Sequence, residues 1–359
     1  MRSIKSNALE PTRFELAGLS RWEAFVRLLP VYGLPIMMLL PILVFSVLLP
    51  QTFPTALNAR SILGDKSIIA LLSLAAMVPM MAGRIDLTVG YGIVMWHVLA
   101  ISLQTKFGLP WPAAVGIVIA CGAFCGLING LLVEIAQIDS FIATLGTGTI
   151  LYALALWHTG GRQILGRLPQ EFLAINGISV AGIPIAAVYV AVIAAVLWIV
   201  SERLPIGRHI YAIGANERAA ALNGIPVRTY VISVFVFAGL LSAFAGVVLA
   251  SKLRIGQASV GLEYLLPALV GAFLGSTTIK PGRVNVLGTL VGVAILAVGI
   301  SGIQQLGGAF FVEPLFNGAT LIVAIALAAY AQRRRSVVRQ KSEPRGGKVV
   351  SRKEDRSAA

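Results

Sequence analysis

The sequence predicts an all-α protein, a polytopic transmembrane helix bundle of about ten spans in which some helices are short or broken. Of the 359 residues, 57% are hydrophobic and only 12% are charged, and the mean hydropathy is +0.86. Soluble globular domains carry about 25% charged residues. Long apolar runs recur along the chain, and a helix of about 20 apolar residues crosses the hydrocarbon of a bilayer. Lipid is therefore the solvent that fits this composition.

The apolar runs give ten candidate spans. They occupy 31–49, 67–82, 89–104, 112–134, 141–157, 183–200, 229–250, 264–277, 285–303 and 315–331. The second, third and eighth runs are short, which predicts helices that tilt, break or stop partway across the membrane. Such helices are common where a protein lines a pathway.

The distribution of the 29 Lys and Arg residues predicts the orientation. With both termini in the cytosol, most of these residues fall on the cytosolic side, as the positive-inside rule requires. An even number of spans satisfies this rule, so eight spans remain an alternative to ten.

The same pattern divides the chain into three segments. We expect a cytosolic N-terminal segment (1–30), a transmembrane domain (31–331) with a cytosolic insert (201–228), and a basic tail (332–359) that is disordered and lies against anionic lipid. The net charge is +14, but aromatic and basic residues do not alternate. We therefore expect no nucleic-acid binding.

The sequence contains no recognisable catalytic pattern. The phosphate-binding pattern G-x-x-x-x-G-K-[ST] does not occur, and the pair Gly347-Lys348 is followed by valine. We expect no enzyme activity, no cofactor and no metal site in this chain, with any ATP used by a separate partner. Cys121 and Cys125 are interpreted as small packing residues. His97 lies in the third run, where a packing histidine is favoured over a proton relay.

Two classes of transporter fit these observations. Charged residues lie almost wholly outside the apolar runs, whereas ion-coupled transport usually needs ionisable groups within them. The favoured interpretation is a transporter subunit driven by a separate ATPase. The alternative is a stand-alone secondary transporter or channel for a small neutral solute, and a membrane-embedded enzyme or scaffold is disfavoured for want of catalytic residues.

The insert carries the strongest functional signal. Residues 207–225 form a polar helix-and-turn segment between two long apolar runs, and such a segment suits docking to a soluble partner. An E-x-A-A-x-x-x-G pattern within it is made by Glu217, Ala219, Ala220 and Gly224.

A polar break joins the second and third runs. In the segment 83–90, Gly83 and Gly90 release the helix geometry, while Asp86 and Thr88 offer short polar side chains for capping the next helix. One interpretation is an ordinary tight turn with Asp86 as the N-cap. The other is a broken helix near the conduction path.

The fifth run carries three threonines, Thr144, Thr147 and Thr149. Threonine hydroxyls often satisfy carbonyl groups of their own helix. They are also suited to lining a pathway for a solute that carries hydroxyl groups, and the sequence leaves both interpretations open.

Small residues predict close helix packing at two places. Spacings of three or four residues let helix backbones approach each other. The two stripes consist of Gly122, Gly126 and Gly130 on the fourth run and of Gly239, Ser242, Ala243 and Gly246 on the seventh.

Four stretches in consistent order resemble the permease subunits of ribose/xylose/arabinose-type bacterial ABC importers. Residues 82–90 resemble the G-G-I-D-L-S-V-G segment of that family, and 140–149 resemble its P-x-F-I-x-T-L-G-T. Residues 207–225 are similar to its G-R-x-I-Y-A-I-G-G-N-E-x-A-A-x-x-S-G-I. Leu274-Gly-Ser-Thr-Thr and Gly288-Thr-Leu-Val-Gly292 are similar to its late G-G-T-S and G-T-L-x-G.

This resemblance implies a multi-pass subunit in the bacterial inner membrane. It implies a pore of two permease chains, a cytosolic ABC ATPase below it, and a periplasmic solute-binding protein that delivers a sugar or polyol. Which solute is carried, and whether the pore is a homodimer or a heterodimer, stay open.

The residue patterns and the resemblance together assign residues to two roles. Coupling to the ATPase is assigned to Arg208, Asn216, Glu217, Arg218, Ala219, Ala220 and Gly224. The translocation pathway is assigned to Gly83, Asp86, Thr88, Gly90, Thr144, Thr147 and Thr149.

The chain departs from the family pattern at two positions. Ala82-Gly83-Arg84 replaces a Gly-Gly pair and introduces a charge, and Lys280-Pro-Gly-Arg283 replaces a glycine-rich turn. The first departure is expected to alter the pathway wall and the second a cytosolic contact.

Overall fold

A computed structural model describes residues 38–277, 279–280, 282–308, 311–320, 322 and 326. The predicted N-terminal segment and basic tail lie outside the described residues, as do the start of the first run and most of the last one. The described helices are α1 Met38–Leu48, α2 Ala56–Met81, α3 Thr88–Thr105, α4 Trp111–Glu134, α5 Ser140–Thr159, α6 Gln170–Gly177, α7 Ile185–Glu202, α8 Pro205–Ala215, α9 Glu217–Leu222, α10 Val227–Leu253, α11 Leu265–Thr277, α12 Val286–Gln305 and α13 312–320.

The protein is a helix bundle, as predicted, and each of the ten apolar runs overlaps a helix. Six of the described helices, α2, α4, α5, α7, α10 and α12, are long and apolar enough to cross a membrane. The interior is built around α2 and α10, and α10 packs along α4, α3 and α2. The second run was predicted to be short, and this prediction is wrong because α2 has 26 residues.

The extra length of α2 consists of its first eleven residues, which carry charges. Thr55 caps the helix by accepting the N–H of Asn58 at 3.2 Å. Within this first part, Asp65 pairs with Lys252 at 2.8 Å, and Lys66 pairs with Glu313 at 3.3 Å. These partners lie far along the chain, so the largely exposed start of α2 is attached to other elements by ion pairs at its surface.

The two predicted stripes of small residues pack against each other and form a glycine seam between α4 and α10. A side chain on Gly122 would place its Cβ 2.6 Å from the carbonyl oxygen of Gly239, and one on Gly126 would place it 2.8 Å from Cα of Val236. Ser242, on the second stripe, instead donates to the carbonyl oxygen of Val89 on α3 at 2.9 Å. The seam therefore allows backbone-to-backbone contact, as the small-residue spacing predicted.

The short helix α11 follows a segment, 254–264, that lies along α3 and ends in a single 3-10 turn, Leu262–Tyr264. Gln257 is next to His97, and Gly261 next to Val94, while Leu265 is packed against Gly90. The chain thus runs antiparallel to α3 before α11 begins. This order explains why helix α11 is only 13 residues long.

Residues 158–182, which lie between the fifth and sixth apolar runs, contain a helix and most of a small hairpin. Helix α6 lies here, anchored by the fully buried Phe172, whose carbonyl oxygen accepts from Ser251 on α10 at 2.9 Å. A small antiparallel hairpin follows, formed by β1 Ser179–Val180 and β2 Ile183–Pro184. These two-residue strands are the one departure from an all-α fold among the described residues.

The first prediction follows from the glycine seam. Gly126→Ala places a methyl group against the backbone of α10, where no side chain can move aside, so we expect a loss of about 1–3 kcal/mol in stability. The melting temperature of the purified protein in detergent measures this loss. Gly116→Ala is the control on the same helix, because nothing lies within 4 Å of a Cβ at Gly116. Equal melting temperatures for the two variants would contradict the seam.

Candidate functional site

The candidate site is the break between α2 and α3, residues 82–87, together with the helices that hold it. The break leaves backbone N–H groups without helical partners. Ser140 Oγ accepts the N–H of Ile85 at 3.1 Å, and Thr144 Oγ1 accepts the N–H of Leu87 at 3.1 Å. Both side chains come from the first turns of α5. The start of α5 therefore satisfies the backbone of the break.

A buried chain of hydrogen bonds extends from the break to α4 and α5. Asp86 Oδ1 accepts the N–H of Thr88 at 2.9 Å and also its hydroxyl. Asn129 Nδ2 donates to Thr88 Oγ1 at 3.1 Å, and Asn129 Oδ1 accepts from Thr147 Oγ1 at 2.7 Å. Asp86 and Asn129 are almost completely buried. Three helices are thus joined by neutral hydroxyl and amide groups and one carboxyl group.

The structure refines the predicted role of Asp86. Helix α3 begins at Thr88, and the capping position belongs to Leu87, which makes no side-chain capping bond. Asp86 lies one residue earlier, yet it accepts an N–H group of the first turn. The prediction of Asp86 as the N-cap is therefore wrong by one position, although the expected type of interaction is present.

The two glycines of the break have different functions. Gly83 has φ of +74°, a conformation that glycine adopts without strain. Gly90 lies inside α3, so the prediction that it releases the helix geometry is wrong. A Cβ there would lie 2.5 Å from the side chain of Leu265, so this glycine allows α11 to approach α3.

The three threonines of α5 are not equivalent. Thr144 is fully buried and Thr147 partly buried, and both contribute to the hydrogen bonds described above. Thr149 is exposed on the outer face of α5 and donates only to the carbonyl oxygen of Leu145 at 2.6 Å. Of the three, Thr149 alone lies on the outer surface of this chain.

The insert forms two short helices, α8 and α9, which lie at one end of the bundle, called the insert end. Helix α8 buries Gly207, Ile210 and Ile213, while Arg208 is exposed. Tyr211 on α8 donates its hydroxyl to the carbonyl oxygen of Val284 at 2.7 Å. Burial raises the pKa of the Tyr211 phenol, so it remains a hydrogen-bond donor at neutral pH.

Helix α9 has a capping residue at each end and one buried side chain. Asn216 Oδ1 accepts the N–H of Ala219 at 3.0 Å, and Ala220 is buried. Gly224 follows the helix with φ of +79°, and nothing lies within 4 Å of a Cβ placed there. Gly224 is thus needed for its backbone conformation, because its surroundings would accommodate a side chain.

The predicted coupling residues form an exposed surface on α9 and the residues beside it. Arg208, Asn216, Glu217, Arg218, Ala219 and Gly224 are all exposed. A cleft of about 650 Å³ next to this surface is lined by Gln137 after the end of α4, Ala221 on α9 and Arg228 on α10, among others.

The insert is in direct contact with the break. A Cβ on Gly83 would lie 3.5 Å from Cα of Gly214 at the end of α8. Arg84 Nη2 lies 2.9 Å from Glu217 on α9 and 3.1 Å from Glu134 at the end of α4. The two regions singled out by the sequence are therefore neighbours in space, which their separation in sequence did not reveal.

The second departure from the family pattern also forms ion pairs at the insert end. Lys280 lies 2.5 Å and Arg283 3.7 Å from the carboxylate of Glu202, the last residue of α7. The guanidinium of Arg283 also stacks over the ring of Tyr211, 3.5 Å from its centroid. The basic turn before α12 is thus attached to α7 and α8.

His97 is a packing residue with partners on both ring nitrogens, as the sequence favoured. Nδ1 lies 2.9 Å from the carbonyl oxygen of Ile93, and Nε2 lies 3.0 Å from that of Gln257. In the described part of the chain, no group of three His, Cys, Asp or Glu side chains is placed to hold a metal ion.

The structure also identifies three site residues that sequence reasoning missed. They are Asn129, Glu134 and Ser140, which hold the break through hydrogen bonds or an ion pair. Asn129 interrupts an otherwise apolar run and lies between two glycines of the seam. That isolated polar residue was a signal available in the sequence.

Comparisons with known proteins identify the relatives of this chain. Residues 58–329 match the family described as branched-chain amino acid transport system / permease component. The ribose import permease protein of Bacillus subtilis (strain 168) is 33% identical over 287 residues, which cover 80% of this chain and 88% of that protein.

Two further relatives have other named solutes. The D-allose transport system permease protein of Escherichia coli (strain K12) is 28% identical over 325 residues, 90% of this chain and 96% of that protein. The autoinducer 2 import system permease protein of Enterobacter sp. (strain 638) is 30% identical over 295 residues, 81% of this chain and 90% of that protein. No solved structure matches the chain.

The second prediction follows from the hydrogen bonds at the break. Thr144→Val keeps the shape of the side chain but leaves the buried N–H of Leu87 without a partner, so we expect a loss of about 1–3 kcal/mol in stability. Melting temperature in detergent measures this loss. Thr149→Val is the matched control on α5, and we expect it to leave the melting temperature unchanged. An unchanged value for Thr144→Val would argue against this role.

Proposed function

Because the chain belongs to the branched-chain amino acid transport system / permease component family, we propose that it is the membrane-spanning permease subunit of an ATP-binding-cassette importer for a sugar or polyol. It is a multi-pass protein of the bacterial inner membrane. The observation that carries the proposal is the similarity, over four fifths of the chain, to a ribose import permease. The transported solute class rests on the names of the relatives.

The chemistry of the described site is compatible with a neutral solute. The side chains around the break are hydroxyl and amide groups, the Arg84–Glu134 ion pair, and the buried carboxyl group of Asp86, which is hydrogen-bonded to Thr88. His97 already has two backbone partners. Thr149, exposed on α5, is the pathway threonine best placed to face a second permease chain across a pore.

Three partners complete the importer. A cytosolic ABC ATPase binds and hydrolyses ATP, so this chain needs no cofactor of its own. A periplasmic binding protein delivers the solute, and a second permease chain, identical or different, forms the other half of the pore. Membrane lipid surrounds the exposed apolar faces of α4, α5 and α7.

We place the insert end in the cytosol, with ten spans and both termini on that side. The alternating directions of the described helices support this topology. Helices α2, α4 and α7 end near the insert, and α5, α10 and α12 begin there. The positive-inside rule assigns the same end to the cytosol.

Helix α9 is the contact with the ATPase in this proposal. Its exposed residues Glu217, Arg218 and Ala219 project from the insert end. Leu222, at the end of the same helix, is 89% exposed. An apolar side chain of this exposure on a short, capped helix is well suited to enter a groove on a soluble partner.

The third prediction concerns the energy source. The importer is reconstituted in vesicles from the purified chain, its ATPase and its binding protein. Uptake of radiolabelled D-ribose or D-allose should then require ATP on the side of the membrane where the ATPase binds. Vesicles without the ATPase are the control. Uptake by the chain alone along a proton or sodium gradient would overturn the proposal in favour of a secondary transporter.

The fourth prediction concerns docking. Leu222→Asp puts a charge where an apolar contact is proposed, and we expect binding of the ATPase to weaken about tenfold, as for a moderately important interface residue. Titration of purified ATPase onto the permease in nanodiscs measures the affinity. The control is Leu306→Asp, a leucine 52% exposed at the end of α12. Equal affinities for both variants and the wild type would remove α9 from the interface.

A further inference from the structure

We infer that Arg84 is a positioning residue that tethers the coupling helix α9 to the break between α2 and α3, and that releasing this tether is part of each transport cycle. The inference rests on the proposed coupling role of α9. It assigns a function to the charge that distinguishes this chain from the G-G-I-D pattern it resembles.

The tether consists of two ion pairs that share one guanidinium nitrogen of Arg84. Arg84 Nη2 lies 3.1 Å from Glu134 Oε1 and 2.9 Å from Glu217 Oε2. Arg84 itself follows Gly83, whose positive φ ends α2. The guanidinium thus connects three elements, namely the break, the end of α4 and the first residue of α9.

The two halves of the tether differ in burial, and burial decides which half is permanent. The side chain of Glu134 is 3% exposed, that of Arg84 is 27% exposed and that of Glu217 is 47% exposed. A buried carboxylate that loses its only counter-ion is strongly destabilised. A half-exposed ion pair is weak, because water and salt compete for its charges. Arg84 is therefore anchored to Glu134, while Glu217 is free to exchange.

This difference in burial between Glu134 and Glu217 suits a helix that has to move during transport. Arg84 remains in place at the end of α4 and presents a positive charge to α9. When the ATPase displaces α9, Glu217 can leave the guanidinium without exposing a buried unpaired charge. The cost is small and reversible, so the pair fixes the resting position of α9 without blocking its movement.

The tether acts next to a second contact between the same elements. Gly214, two residues before Asn216, lies against Gly83, and a Cβ on Gly214 would lie 3.1 Å from the Gly83 amide nitrogen. With Glu217 held, the insert keeps this backbone contact with the break. The break in turn is hydrogen-bonded to α5 through Ser140 and Thr144. A displacement of α9 therefore reaches the break that precedes α3.

Two other cations lie near Glu217 but are not in the tether. Arg218 and Arg228 line the same cleft, and both are exposed. Neither forms an ion pair with Glu134 or Glu217 in the described residues. Arg228, on α10, is not among the residues assigned to ATPase docking and therefore provides a matched control, since its replacement removes one positive charge from the cleft and leaves the three-residue contact intact.

The test compares Arg84→Gly, Glu217→Gln and the double variant with the wild type. Hydrogen exchange of residues 216–223 in the purified permease reports whether α9 is held. The reconstituted importer with ATPase and binding protein reports radiolabelled D-ribose or D-allose moved per ATP hydrolysed. Glu217→Gln removes only the half-exposed pair and should speed exchange and lower the ratio of solute to ATP about threefold, within the range expected for such a pair. Arg84→Gly should change both at least as much, because it also leaves the buried Glu134 without its counter-ion.

Three comparisons separate positioning from a general structural effect. Adding Glu217→Gln to Arg84→Gly should have no further effect, because the contact that Glu217→Gln removes is already absent. Arg84→Lys keeps the positive charge and should retain most of the coupling. Arg228→Gln should behave as the wild type in both measurements.

Unchanged exchange in Arg84→Gly and Glu217→Gln would overturn the tether, and so would faster exchange with an unchanged ratio of solute to ATP. Additive effects in the double variant would also overturn it. A wild type that hydrolyses ATP without moving sugar, but whose α9 loosens in Arg84→Gly, would overturn the proposed importer while leaving the structural contact.

Discussion

Backbone groups that leave a helix inside a packed membrane bundle need hydrogen-bond partners from the protein, because lipid supplies none. The break between α2 and α3 is organised around this constraint. Ser140 and Thr144 reach it from α5, and Asp86 and Thr88 accept or donate within it. The packing of α5 against α3, and the place where α3 begins, follow from these bonds. The insert contacts the bundle at this held segment and also at the turn before α12.

The two departures from the family pattern have a common physical character. Each places positive charge at the insert end, and each meets a carboxylate at the end of a helix, Glu134 for Arg84 and Glu202 for Lys280 and Arg283. Substitutions that would be costly alone are thereby accommodated. They also add contacts between the insert and the spans that a glycine at these positions cannot make.

Sequence patterns were sufficient where the interaction is local or repeated. The apolar runs predicted the helices, and the small-residue stripes predicted the seam between α4 and α10. Patterns were insufficient where partners are distant. The start of α2 was missed because Asp65 and Lys66 lower the local hydropathy, while the residues that neutralise them are on other elements. Asn129 and Glu134 escaped notice because their partners lie 41 and 50 residues away.

The contact between Gly83 and Gly214 has a mechanical consequence. Side-chain torsions are usually the softest part of a protein contact, since they rotate among several wells at little cost. This contact has none, because main chain meets main chain. A small rotation of α8 cannot be absorbed by repacking at this joint and must appear as a change in main-chain dihedrals on one side or the other. The joint is therefore stiff. A small displacement of α8 is transmitted to the break instead of being stored as elastic energy at the contact.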